Sequence, residues 1–186
     1  MKGLIYVFTG EGKGKTSAAI GVATRALLLK NKVGWVAFYK GKDWEVAEKK
    51  LGEKFPNLTM VFSGEGFVIR NAKKMAKVGE GRVVIDKASE EEHQAAAKRG
   101  LEIVEKELGT KPFLLVMDEV LNAVGEGLVS EEEVLGLLEE RGETHVILTG
   151  RGVTERLKEI ADLVTECKKI KHPYDKGKLA VRGLDY

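Results

Sequence analysis

Hydrophobic positions along the chain switch between two rhythms. Leu4-Ile5-Tyr6-Val7-Phe8-Thr9 is an unbroken, β-rich run, the pattern of a strand covered on both faces. From Thr16 onward, Ala19, Val22, Ala23, Ala26 and Leu27 recur at three- and four-residue spacing, which predicts a helix to about Lys30. Lys30-Asn31-Lys32 suits its end, with basic residues in the last turn and an asparagine that tolerates a left-handed exit. Residues 33–39 and 58–62 read as the next two strands, with a helical pattern over 44–51 between them. The stretch 64–87 holds Gly64, Gly66, Gly79 and Gly81 without a sustained period. It reads as a long loop with one or two helical turns, and loops of that length are usually functional or mobile.

Ser89 followed by Glu90, Glu91 and Glu92 opens the next helix with a capping box. Ala97, Leu101, Val104 and Leu108 extend its apolar stripe to about residue 108. Residues 113–117 form a buried strand that ends in Asp118-Glu119. Ser130-Glu131-Glu132-Glu133 repeats the capping pattern, strand 145–149 follows, and a short helix spans 154–160 before a last edge element within 163–170. Strands alternating with helix-length crossovers predict an α/β domain of three layers, a mainly parallel central sheet with helices on both faces, spanning residues 1–186 as a single unit. Ligands in such sheets sit at the carboxyl ends of the strands. Thr9, Tyr39-Lys40, Asp118-Glu119 and Thr149-Gly150-Arg151 all fall there.

Composition narrows the class without naming a function. A chain of 186 residues with 43% hydrophobic and 32% charged residues can bury a sizeable core unaided by disulfides. The net charge of +2 is too small to argue for nucleic acid. The lysines at Lys168, Lys169, Lys171, Lys176 and Lys178 lack interleaved aromatics beyond Tyr174, and read as a solvated surface. Cys167 alone can form no internal bridge, and reads as a buried or half-buried small residue in a reducing compartment. With no signal peptide or membrane span in the pattern, the expected location is the cytoplasm.

Candidate chemistry concentrates in Thr9-Gly10-Glu11-Gly12-Lys13-Gly14-Lys15-Thr16, which lies between a predicted strand and a predicted helix, where a Walker A phosphate loop belongs. Glycines at Gly10, Gly12 and Gly14 let successive N–H groups curl round phosphate oxygens, and the helix aims its positive end at the anion. Lys15 would bridge phosphates, the Thr16 hydroxyl would ligate magnesium, and Asp118 or Glu119 stands where a second metal-holding group is placed. The bland alternative, a glycine-rich turn with incidental lysines, fits the agreement of strand, loop and helix poorly. The loop departs from the standard pattern in opening with Thr9 rather than glycine. It says nucleotide, and does not choose between a kinase and an ATPase.

The run from Val7 through Ala19 resembles the opening of the phosphate-loop ATP:corrinoid adenosyltransferases, which also begin this loop with threonine. Further similarity lies in Tyr39-Lys40-Gly41, Gly64-Glu65-Gly66-Phe67, the strand ending in Asp118-Glu119, Thr149-Gly150-Arg151-Gly152, Lys171-His172-Pro173-Tyr174-Asp175 and Gly183-Leu184-Asp185-Tyr186. The resemblance covers almost the whole chain in order, and implies a RecA-like P-loop fold. Its implied activity is transfer of the 5′-deoxyadenosyl group of ATP to Co(I) of cob(I)yrinic acid a,c-diamide or cob(I)alamin, with release of triphosphate. It implies an ATP held in the reversed direction along a loop of Thr9 to Thr16 with Ser17, magnesium on Thr16, Glu119 and Asp118, and further nucleotide or corrinoid contacts from Arg25, Lys40, Arg151 and His172. On the cobalt side, relatives place a phenylalanine and, two residues later, a tryptophan that help expel the lower axial ligand. Here these positions are Phe67 and Ile69, and isoleucine keeps the bulk but loses the flat aromatic surface.

The same resemblance implies a homodimer and a separate Co(II) reductase as electron donor. Many relatives carry a segment before the first strand that covers a partner's active site, and this chain, opening Met1-Lys2-Gly3, is expected to lack it. The alternative from another class is a phosphate-loop ATPase or regulatory nucleotide-binding module that kept the fold and lost the transfer. His93 reads as a surface residue in an acidic first turn, and His145 as a structural residue at a strand start.

Overall fold

The computed structural model describes residues 1–41, 44, 46–66, 76–77, 83–84 and 88–185, with backbone only at 76–77 and 83–84. The expected Phe67 and Ile69 lie outside the described residues. Elements follow in the order β1 (Ile5–Thr9), α1 (Lys15–Leu28), β2 (Val33–Ala37), α2 (Lys49–Lys54), β3 (Leu58–Phe62), β4 (Ala76–Lys77), β5 (Val83–Val84), α3 (Glu90–Gly109), β6 (Leu114–Asp118), α4 (Val120–Gly125), α5 (Glu131–Glu140), β7 (His145–Thr149), α6 (Glu155–Ile160) and β8 (Leu163–Glu166), and a 3₁₀ turn at Pro173–Lys176.

Six strands form one sheet in the order β3-β2-β6-β7-β1-β8, and every pairing in it is parallel. Alternate residues of each strand feed two cores. Ile5, Val7, Val36, Leu115, Met117, Val146 and Leu148 pack with Val104, Val134, Leu138 and Leu157 from α3, α5 and α6. Phe8, Val33, Trp35, Leu114, Val116 and Ile147 pack with Ala19, Ala23, Ala26 and Leu27 of α1. Both faces of the sheet are therefore covered, as the unbroken apolar runs predict. From β1 the chain crosses to β2 and β3 through α1 and α2 on one face. It then returns through β6 and β7 to β8 with α3, α5 and α6 on the other. The reversal leaves a switch point at the carboxyl ends of β1 and β6.

Three sequence expectations need correction. His93 is 4% exposed rather than at the surface. It stands three, four and seven residues before Ala96, Ala97 and Gly100, on the face of α3 that meets the sheet. The helix expected over 44–51 begins only at Lys49. Glu48, just before it, turns its carboxylate back to Lys40. Within 64–87 the structure has a two-stranded antiparallel pair, Ala76↔Val84 and Lys77↔Val83, too short to leave a period in the sequence. Both capping boxes form as expected, with Ser89 accepting from the Glu92 N–H and Ser130 from the Glu133 N–H.

Candidate functional site

The turn after β1 is built for glycine. Gly10 has φ +104° and Gly14 φ +120°, a region that L side chains avoid. A Cβ at Gly10 would stand 2.6 Å from the Cys167 carbonyl oxygen. The loop rests on the chain just past β8, since the Cys167 N–H donates to Thr9 O at 2.7 Å and the Gly12 N–H donates to Cys167 O at 2.7 Å. Gly14 caps α1 without a side-chain hydrogen bond, and no acidic residue sits in the first turn. That leaves the positive end of a fourteen-residue helix facing the loop. Lys15 closes the cradle, its Nζ donating to Gly10 O at 2.7 Å and Gly12 O at 2.8 Å. Burial, reinforced by the charge of Arg151, pulls its pKa below the usual lysine value. A glycine-rich turn, an open helix N-terminus and a half-buried ammonium have the chemistry of an anion site.

The acidic side lies two strands away, with β7 between. Asp118 ends β6 fully buried. Its Oδ1 accepts from the Thr16 hydroxyl at 3.0 Å and the Thr149 hydroxyl at 2.7 Å, and its Oδ2 accepts from Lys40 Nζ at 2.8 Å. The same Thr149 oxygen accepts from the Glu119 N–H at 2.8 Å, so the middle strand ties the two acids together. Glu119 takes a left-handed conformation, φ +65°, a strained choice for a non-glycine residue and one that clusters at functional sites. Its Oε2 is buried with no hydrogen-bond partner among the described residues. Burial and then the neighbouring Asp118 charge raise its pKa to about 7, against the opposing pull of Lys40 and Lys15. Burial disfavours the charge on Lys40, but Asp118, Glu119 and Glu48 outweigh it and hold its pKa above the usual lysine value.

These donors fit a hard divalent cation. The Thr16 hydroxyl, the Asp118 carboxylate and the orphaned Glu119 oxygen are all oxygen ligands, the set that magnesium takes together with phosphates. Among the described residues no three His, Cys, Asp or Glu side chains gather into a metal cluster. A cation here would complete its shell with water or phosphate oxygens.

Other expected residues divide by distance from this cleft. Arg151 lies beside the loop: its guanidinium pairs with Glu11 at 3.4 Å, and its N–H donates to Asn122 Oδ1 at 2.7 Å. Lys13 is paired with Asp185 and donates to Leu184 O at 3.2 Å, which lays the carboxyl-terminal tail against the loop. Ser17 is exposed in the first turn of α1. His172 caps the 3₁₀ turn, its Nδ1 accepting from the Tyr174 N–H at 3.2 Å. Arg25 is not brought to the loop: it lies about 15 Å further along α1 and lines a separate, mostly apolar cavity of ≈ 340 Å³ with Leu4, Tyr6, Phe113 and His145. Sequence reasoning placed Thr149 at a ligand-facing strand end without giving it a role, and overlooked Glu48. Thr149 left a trace, as a polar residue ending an apolar strand before Gly150-Arg151; Glu48 left none.

Comparison with known proteins agrees with this geometry. Over all of residues 1–186 the chain matches the family described as ATP:corrinoid adenosyltransferase BtuR/CobO/CobP. It is 34% identical over 187 residues to the corrinoid adenosyltransferase of Escherichia coli K12, covering 100% of this chain and 86% of that protein. Against the Salmonella typhimurium corrinoid adenosyltransferase CobA the identity is 33% over 192 residues, with 100% and 86% covered. For that of Pseudomonas aeruginosa it is 30% over 188 residues, with 100% and 84% covered. A phosphate loop opened by threonine, two acids at the end of β6 and a match along the whole chain together place this protein in the ATP:corrinoid adenosyltransferase family.

Proposed function

We propose that the chain transfers the 5′-deoxyadenosyl group of ATP to Co(I) of cob(I)yrinic acid a,c-diamide or cob(I)alamin. The supporting observation is the convergence of Lys15, Thr16, Asp118 and Glu119 at the carboxyl ends of β1 and β6 in a chain of this family. In the reaction the cobalt electron pair attacks C5′, a Co–C bond forms, and the C5′–O bond breaks with its electrons leaving on triphosphate. Negative charge grows on the phosphate chain, so catalysis lies in donors already aimed at it. The loop N–H groups and Lys15 supply those donors, and Arg151 adds positive charge at the rim. Thr16, Asp118 and Glu119 would hold magnesium, which neutralises phosphate charge when bound. Phe67 and Ile69 would face the corrinoid, and Ser17 and His172 would complete the nucleotide pocket.

On the same reading the enzyme is a cytoplasmic homodimer that takes its electron from a separate Co(II) reductase. Among the described residues no helix is long and apolar enough to cross a membrane. The test is an anaerobic assay with magnesium-ATP and chemically reduced cob(I)alamin or cob(I)yrinic acid a,c-diamide, following the corrinoid spectrum and the phosphate products. A photolabile adenosylcorrinoid with stoichiometric triphosphate is expected. ADP and inorganic phosphate without cobalt alkylation would make the chain an ATPase that kept the fold.

A further inference from the structure

The buried carboxylate of Asp118 divides its two oxygens between different partners. Oδ1 is satisfied by two neutral hydroxyls, from Thr16 and Thr149. Oδ2 is held by the Lys40 ammonium at 2.8 Å. That ammonium is 3.0 Å from the Glu48 carboxylate as well, and both Lys40 and Glu48 have side chains only about a tenth exposed. Three carboxylates, of Asp118, Glu119 and Glu48, thus act on one lysine. Buried carboxylates left without a cation are costly, and Lys40 is the side chain that meets this need.

Its placement suits exchange. β2 ends at Ala37, the Phe38 N–H pins the chain just past it to Asp118 O at 3.0 Å, and the Tyr39 and Lys40 carbonyls accept from the Gly66 and Gly64 N–H groups. Lys40 extends from the loop beyond that pin on four rotatable bonds. Glu48, at the start of α2, gives the ammonium a second anion when Asp118 is taken.

We propose that Lys40 is a tethered counter-cation: it neutralises Asp118 in the metal-free protein, and yields Oδ2 to an incoming divalent cation while keeping its hold on Glu48. The proposal rests on the reading of this cleft as a nucleotide and metal site. Lys40 is then a positioning residue that keeps the acids folded and sets how tightly the empty site takes a metal. A purely structural ion pair would leave a Lys40→Met chain destabilised whether or not metal is bound.

Binding of Mn²⁺ alone, followed by the loss of the free-ion electron paramagnetic resonance signal, tests this on the full chain. Lys40→Met should bind Mn²⁺ about tenfold more tightly than wild type, a change of about 1.4 kcal/mol. Its melting temperature should fall without metal and recover with it. Glu48→Gln should bind Mn²⁺ more weakly, because the displaced ammonium has lost its second anion. Unchanged or weakened Mn²⁺ binding in Lys40→Met overturns the proposal, as does a Lys40→Met chain that stays unfolded in saturating Mn²⁺. If Lys40→Met does not fold without metal, Glu48→Gln decides, and an affinity equal to or above wild type overturns the exchange. Asp118→Asn separates the two levels. If Asp118→Asn loses Mn²⁺ while Lys40→Met matches wild type, only the exchange fails; if Asp118→Asn binds Mn²⁺ as wild type does, the metal reading of the cleft fails with it.

Discussion

Lys15 and Glu119 bear opposite relations to their surroundings. Lys15 is satisfied by the Gly10 and Gly12 carbonyls; the Glu119 Oε2 is buried without a hydrogen-bond partner among the described residues. Lys15→Ala should therefore lower kcat for adenosyl transfer by about 10²–10³, the cost of removing one preorganised donor, while the circular dichroism spectrum stays that of wild type. For Glu119 the linkage has a definite sign. Its folded pKa is raised from 4.5 to about 7, so the folded chain holds this proton more tightly than the unfolded chain. The resulting stability is fully present below pH 4.5 and is lost as pH rises through 7. Glu119→Gln removes this dependence and should melt higher than wild type at pH 8, each kcal/mol appearing as about 2–4 °C in a chain of this size. Melting curves from pH 5 to about 8.5 that run parallel for the two proteins would refute it.

Elements were legible in the sequence to the degree that local chemistry decides them. Both capping boxes were readable because Ser89 and Ser130 each precede a Glu at the third helical position, and that pairing needs no distant partner. Ser89→Ala should cost about 1 kcal/mol, seen as a lower urea midpoint at unchanged KM for ATP. The phosphate loop was readable for the same reason, since its glycines answer to local dihedrals. Gly10→Ala tests its support as well: with φ +104° and only 2.6 Å to Cys167 O, the variant should lose ATP binding by calorimetry and about 1–3 kcal/mol of stability. What stayed hidden depends on tertiary contact. His93 is buried because of the sheet above it, and Glu48 belongs to the site only because the turn before α2 carries it to Lys40. The β4–β5 pair is two residues a side, shorter than any alternation can reveal.

At the scale of the molecule, strand order matters more than any one motif. Thr16 and Asp118 are 102 residues apart in sequence, and the order β6-β7-β1 brings them to 3.0 Å with Thr149 between. Nothing in the pattern of the strands gives that order; crossover length and handedness gave only a parallel sheet. The free thiol of Cys167 offers a reporter of the assembled cleft, since a Cβ on Gly14 would lie 3.8 Å from its Sγ. Saturating ATP should slow its alkylation by N-ethylmaleimide at least about tenfold, read by mass spectrometry. Equal rates with and without ATP would show that the nucleotide does not cover the loop.

The dependence of the loop on Cys167 also gives the site a schedule. Thr9 to Thr16 are synthesised some 150 residues before the backbone they rest on, about 8–30 seconds at ordinary elongation speeds. Throughout that interval the nascent chain carries a phosphate-binding sequence with no seat for it, and β1 lacks its neighbour on one side. A chain cut before β8 should therefore bind ATP far more weakly than one that includes it, because the loop would lack the backbone it rests on.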